Sequence, residues 1–109
     1  MKVFKFGGAS VKDAAGVKNL VRVLETVGYQ NTLVVISAMG KTTNALEVII
    51  DAYFKNKKQI PQEVFDLKEF HSNIITDLFG IHHTEVSNKV AAYFEELQAF
   101  LRNNKAPNY

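Results

Sequence analysis

Val3, Phe4 and Phe6 form a short β-prone segment that stops at Gly7-Gly8, as a buried strand stops at a turn. From Ser10 the spacing changes. Val17, Leu20, Val21, Leu24 and Val27 recur three and four residues apart, which predicts one face of a helix closed by Gly28. Ser10 stands three residues before Asp13, an S-x-x-D capping arrangement, so the helix is expected to begin there and run for about five turns. After a short turn containing Asn31, Thr32-Leu33-Val34-Val35-Ile36 is a continuous β-branched and aliphatic run, and a strand apolar on both faces belongs inside a sheet. Strand, helix and buried strand make a βαβ unit with a right-handed crossover. Ligand sites are then expected in the loops at the carboxyl ends of its strands, residues 6–10 and 37–43.

Downstream the pattern predicts helices over about 43–56, 61–79 and 84–103, the last two as a hairpin. Pro61 suits a first helical turn, Gly80 a C-cap and Thr84 an N-cap. Val64, Leu67, His71, Ile74, Ile75 and Leu78 share one stripe; Val86, Val90, Phe94, Leu97 and Leu101 share another. The end, Asn103 to Tyr109, reads as a connector. Two strands with four helices leave sheet edges open, so the chain is expected to be part of a larger fold.

Composition adds bounds. The chain has 109 residues, 47% hydrophobic and 22% charged, which suits one globular domain or a piece of one. A net charge of +2, with basic residues scattered along the chain, gives no reason to expect nucleic acid. Lys55, Lys57 and Lys58 read as the frayed end of a helix. Cysteine is absent, no signal-like stretch opens the chain, and no run approaches the ~20 apolar residues that cross a bilayer. A cytoplasmic protein without a membrane partner is the expectation.

The chemistry sits in the two loops. Lys5-Phe6-Gly7-Gly8-Ala9-Ser10 sets a lysine at a strand end, two glycines that a ligand can approach closely, and a hydroxyl at a helix start. Glycine amides supply oriented donors and the ammonium group can offset phosphoryl charge, although a tight turn with a solvated lysine has the same spacing. Gly40-Lys41-Thr42-Thr43 is not a P-loop, because Val35 stands where the first glycine of that motif would be. This loop can present Ser37, Thr42 and Thr43 hydroxyls to a carboxylate. Adjacent His82-His83 lacks the spacing of a metal pair and reads as capping or surface histidines, so no metal site is expected. His71 lies on an apolar stripe and reads as a core or interface residue.

At these loops the sequence resembles the aspartate kinases of the amino-acid kinase superfamily. Lys5-Phe6-Gly7-Gly8-Ala9-Ser10-Val11 is similar to the opening signature K-[FY]-G-G-[TS]-S-[VL], with Ala9 where the family usually has a hydroxyl. Val35 to Leu46 resembles the second signature, V-[VL]-S-A followed by T-[ND]-x-L, with Lys41-Thr42 where Gly-Val or Gly-Ile often precedes the threonine. The resemblance implies an α/β fold, the three-layer αβα of amino-acid kinases, of which residues 1–109 would be the N-terminal portion. Residues 1–44 would supply the βαβ loops and 45–105 a helical region. It implies transfer of the γ-phosphoryl group of MgATP to L-aspartate, the first step toward lysine, threonine and methionine. Lys5 would be catalytic, Lys5, Phe6, Gly7, Gly8 and Ser10 would bind phosphate, and Ser37 and Thr43 would bind aspartate. The family's substrate glutamate and nucleotide loops would lie beyond Tyr109, with any ACT domains. An isolated chain is then expected to be inactive and the whole protein a homo-oligomer. Two alternatives are another enzyme of the superfamily and a non-catalytic module pairing through its sheet edge or helical hairpin.

Overall fold

Residues 1–103 are described by a computed structural model. The connector expected at the chain end lies, from residue 104 on, outside them. The fold divides into two units, Met1–Thr42 and the chain from Thr43 onward.

In the first unit β1 (Lys2–Phe6) and β2 (Thr32–Ile36) pair in parallel, with Lys5 opposite Val35 and Phe6 opposite Ile36. Between them runs α1 (Ala14–Val27), the crossover expected of a βαβ unit. Gly28, at φ 85°, ends α1 and returns its amide to the Leu24 carbonyl at 2.9 Å. Asn31 takes a left-handed φ of 51° before β2, a conformation asparagine tolerates.

The sheet differs from expectation in one respect. Among the described residues β2 has a single neighbour, so its apolar run is not enclosed on both sides. Strand residues alternate between faces, and Phe4, Phe6 and Val34 are half-buried on one face. On the other, Val3, Leu33 and Val35 remain 59%, 49% and 42% exposed. One crossover helix can cover only one face of a sheet.

The second unit is helical: α2 (Thr42–Lys55, whose first residue closes the first unit), α3 (Ile60–Phe79) and α4 (Thr84–Asn103). Ile49 of α2, Val64 and Leu67 of α3 and Phe94 of α4 form one core, flanked by Ala45, Leu46, Ile60, Val90, Leu97 and Leu101. The expected hairpin of α3 and α4 is present, and α2 packs into the same core as a third helix. His71, on the expected stripe, donates from Nδ1 to the Leu67 carbonyl at 2.9 Å and meets the Phe94 ring edge-on at 5.9 Å.

Pro61 falls in the first turn of α3, and Gly80, at φ 56°, ends that helix, both as expected. Thr84 is the first helical residue of α4 rather than its cap. His83 takes that place: its carbonyl accepts the Ser87 amide at 2.9 Å and its Nδ1 shares a hydrogen bond with Ser87 Oγ, also at 2.9 Å. Lys57 and Lys58 are not frayed, since a 3-10 turn (Lys57–Gln59) holds them between α2 and α3.

Candidate functional site

The loop after β1 is two overlapping turns. Ser10 N–H donates to Gly7 O at 3.0 Å and Val11 N–H to Gly8 O at 3.3 Å. Val11, 2% exposed, anchors the exit of the loop. The helix therefore starts later than the S-x-x-D pattern suggests: Ser10 is committed to the turn, and Asp13 is the N-cap. Its extended backbone (φ −156°, ψ 179°) aims Oδ1 at the Gly16 amide, 2.8 Å away. With its start moved to Ala14, α1 has 14 residues and about four turns instead of five.

Gly16, which the sequence reading did not single out, allows this arrangement. The Ser10 carbonyl oxygen lies so close to Gly16 that any Cβ there would overlap it. A glycine in the first turn of an otherwise good helix is the signal that could have found it, because an exposed helical position would favour alanine by ~1 kcal/mol.

The second loop comes to meet the first. Ser37 N–H donates to Phe6 O at 2.9 Å, extending the parallel register past the strand ends. Gly40 N–H then donates to Gly8 O at 3.2 Å. A Cβ on Gly8 would sit 2.8 Å from Gly40 O and 3.3 Å from Ala38 O. Gly8 is thus where the two loops touch backbone to backbone. Gly40 itself, at φ 55°, takes a left-handed turn that suits glycine. Thr42 then opens α2, its N–H and Oγ1 both donating to the Met39 carbonyl, at 3.1 and 2.5 Å.

Gly7 differs from Gly8. A Cβ there would meet nothing within 4 Å, and its φ lies outside the left-handed region. Neither packing nor backbone conformation requires glycine at this position. Among the described residues, the amides of Gly7, Gly8 and Ala9 donate to no backbone carbonyl. Three successive free N–H groups in a tight turn are the donor set that binds an oxyanion.

The unit that carries this turn is basic in sequence. Lys5, exposed on the bare face of the sheet, is in no ion pair among the described residues. Residues 1–42 hold six Lys and Arg against Asp13 and Glu25, and the Asp13 carboxylate is engaged in its cap.

Of the residues singled out in sequence, the structure brings together Phe6, Gly7, Gly8, Ser10 and Ser37, with Lys5 one residue away on β1. Thr43 is exposed in the first turn of α2, next in the chain to Thr42. Among the described residues no helix is long and apolar enough to cross a membrane, and no three His, Cys, Asp or Glu side chains gather as a metal site would need.

No protein-family model matches the chain. It is 32% identical over 104 residues to Aspartokinase 1, chloroplastic, of Arabidopsis thaliana, a match covering 92% of this chain and 17% of that protein. It is 30% identical over 100 residues to Aspartokinase 2, chloroplastic, of the same plant, covering 88% of this chain and 18% of that protein. The chain thus spans less than a fifth of the length of these relatives. The order β1-α1-β2-α2-α3-α4 with a parallel strand pair is an α/β arrangement matching the βαβ start of an amino-acid-kinase-like fold, and the chain is a distant homologue of plant aspartokinases over that part.

Proposed function

We propose that residues 1–109 are the phosphate- and substrate-binding N-terminal part of an aspartate kinase, with the βαβ loops in residues 1–44 and a helical region in 45–105. In the reaction, a side-chain carboxylate oxygen of L-aspartate attacks the γ-phosphorus of MgATP, the bond to the β–γ bridging oxygen breaks, and ADP leaves with 4-phospho-L-aspartate as product. Phosphoryl transfer of this kind needs chiefly positioning and charge stabilisation. The Gly7 and Gly8 amides and the Ser10 hydroxyl hold phosphate oxygens, and Phe6, whose backbone is bonded to the second strand, fixes where that turn begins. The Lys5 ammonium offsets charge that develops on the transferred group. Ser37 and Thr43 hydroxyls engage the aspartate. The product leads toward lysine, threonine and methionine, and the whole enzyme is a cytoplasmic homo-oligomer in this reading.

One observation carries it: among the described residues, the turn after β1 offers three successive amides without a backbone acceptor, next in the chain to a lysine in no ion pair, and includes a glycine that the fold itself does not require. The similarity to plant aspartokinases supports it.

The test is an amide NMR titration of the chain with tripolyphosphate, together with a hydroxylamine assay for acyl phosphate in the presence of L-aspartate and MgATP. Weak binding that moves the Gly7, Gly8 and Ala9 resonances, without turnover, is expected. Unmoved resonances in that turn would reject the phosphate site, and measurable turnover would reject the claim that further chain is needed for catalysis.

A second reading, a module that recruits another polypeptide by strand addition, is favoured by the outer edge of β1, which has no strand beside it among the described residues. The Lys2 and Ser37 bonds show that Lys2, Phe4 and Phe6 face β2, which leaves the Val3 and Lys5 amides on the outer edge. A strand partner would slow hydrogen exchange at those two amides.

A further inference from the structure

The helical unit holds a cavity of about 330 Å³ lined by Lys57, Ile60, Pro61, Gln98, Leu101 and Arg102, none of them a residue of the two loops. Its volume is at the small end of the ~300–1,000 Å³ range of small-molecule sites. Ile60 and Leu101 pack against the core, so this part of the apolar wall is held by the bundle. Lys57 Nζ lies 4.7 Å from the centroid of the Tyr53 ring, and Tyr53 is itself buried, which restrains the lysine stem.

The charge at this cavity is unlike that of the unit around it. From Thr43 to Tyr109 the sequence has nine acidic residues against seven basic ones. The cavity nevertheless carries two cations and, among the described residues, no carboxylate. Neither Lys57 nor Arg102 is in an ion pair among the described residues; the pairs formed there are Lys55–Asp51 and Lys89–Glu85. Asp66, on the same helix as Ile60 and Pro61, accepts instead from Gln62 Nε2 at 2.7 Å.

We infer that this cavity binds a small monocarboxylate with a short branched aliphatic body. The Arg102 guanidinium offers the paired donors that fit a carboxylate, Lys57 adds a second cation and Gln98 a neutral donor. Ile60, Pro61 and Leu101 take the hydrocarbon. A bare inorganic anion would leave that wall wet, and an uncharged alcohol would leave both cations without a counter-charge among the described residues.

The inference is independent of the kinase reading and is tested separately, on the full 109-residue chain. Isovalerate, isoamyl alcohol and inorganic phosphate are titrated while amide resonances are followed. Isovalerate is expected to saturate with a dissociation constant on the order of 1 mM, moving the Ile60, Gln98, Leu101 and Arg102 amides. The alcohol and phosphate should bind at least about tenfold more weakly. Lys57→Gln and Arg102→Gln should each weaken isovalerate about threefold to tenfold, Arg102→Gln without shifting the unfolding midpoint, and Arg102→Lys should recover part of the loss. Lys5→Gln should change nothing at this cavity. Equal binding of acid and alcohol, equal binding of acid and phosphate, an unsaturated response, or shifts confined to other residues would each overturn the proposal.

Discussion

Gly8 and Gly40 touch backbone to backbone: the Gly40 amide donates to the Gly8 carbonyl at 3.2 Å, and a Cβ on Gly8 would come within 2.8 Å of the Gly40 oxygen. The neighbouring Gly7 has open space where its Cβ would go. Substitution should therefore separate the two glycines. Gly8→Ala must displace the second loop and is expected to cost about 1–3 kcal/mol of stability. Gly7→Ala meets no obstacle and should be neutral or stabilise by up to about 1 kcal/mol through the unfolded chain. If phosphate approaches the turn closely, Gly7→Ala weakens tripolyphosphate binding while stability is kept. Urea unfolding of both variants, read beside the same titration, decides it; equal destabilisation would show that Gly7 is a packing residue.

Lys5 makes a cleaner electrostatic probe because no acidic partner is lost with it among the described residues. Its side chain is exposed on the face of β1 that carries Val3. Lys5→Gln should leave the unfolding free energy within about 0.5 kcal/mol of the parent. Under the phosphate reading it should also reduce the response of the Gly7 to Ala9 amides to tripolyphosphate, and added salt should reduce the parent's response. A parent response insensitive to both would remove Lys5 from the site.

The start of α1 sets two ordinary rules against each other. Asp13→Ala removes the acceptor of the Gly16 amide and should cost about 0.5–2 kcal/mol, with Asp13→Ser recovering most of it. Ser10→Ala should leave the helix unaffected, since Ser10 does not cap it. Gly16→Ala gains ~1 kcal/mol of helix propensity. Its new methyl group, however, would overlap the Ser10 carbonyl. Overlap of that kind outweighs propensity, and a net loss of stability with a displaced loop is expected in thermal unfolding and in the Ser10 and Val11 amide shifts.

Sequence legibility followed the range of the interactions. β2 was readable as an unbroken run from Thr32 to Ile36, and the ends of α3 from Pro61 and Gly80, because each signal is local. Asp13 does not stand out as the cap in sequence because Ser10, also a capping residue type, opens an S-x-x-D pattern that ends on it, whereas in the fold Ser10 is drawn into the turn with Gly7. The joining of α2 to the hairpin core depends on Ile49 meeting Val64, Leu67 and Phe94, contacts that no local spacing encodes. At the candidate site, the lysine and glycine pair after a strand were visible at once. The division of labour between Gly7 and Gly8 was not, since it depends on where the loop carrying Gly40 passes.

Ile49 tests whether α2 is an integral part of the helical unit. It is 1% exposed, at the centre of a cluster drawn from three helices. Ile49→Ala should cost about 2–5 kcal/mol through lost burial and the remaining cavity, and Ile49→Val about 0.5–1.5 kcal/mol. Phe65 is the larger side chain, yet it is 58% exposed next to the buried Val64. Phe65→Ala should change stability by no more than about 0.5 kcal/mol. A hydrophobicity count would rank these substitutions the other way, so denaturant unfolding distinguishes packing from composition. An Ile49→Ala cost below that of Phe65→Ala would mean that α3 and α4 hold together without α2.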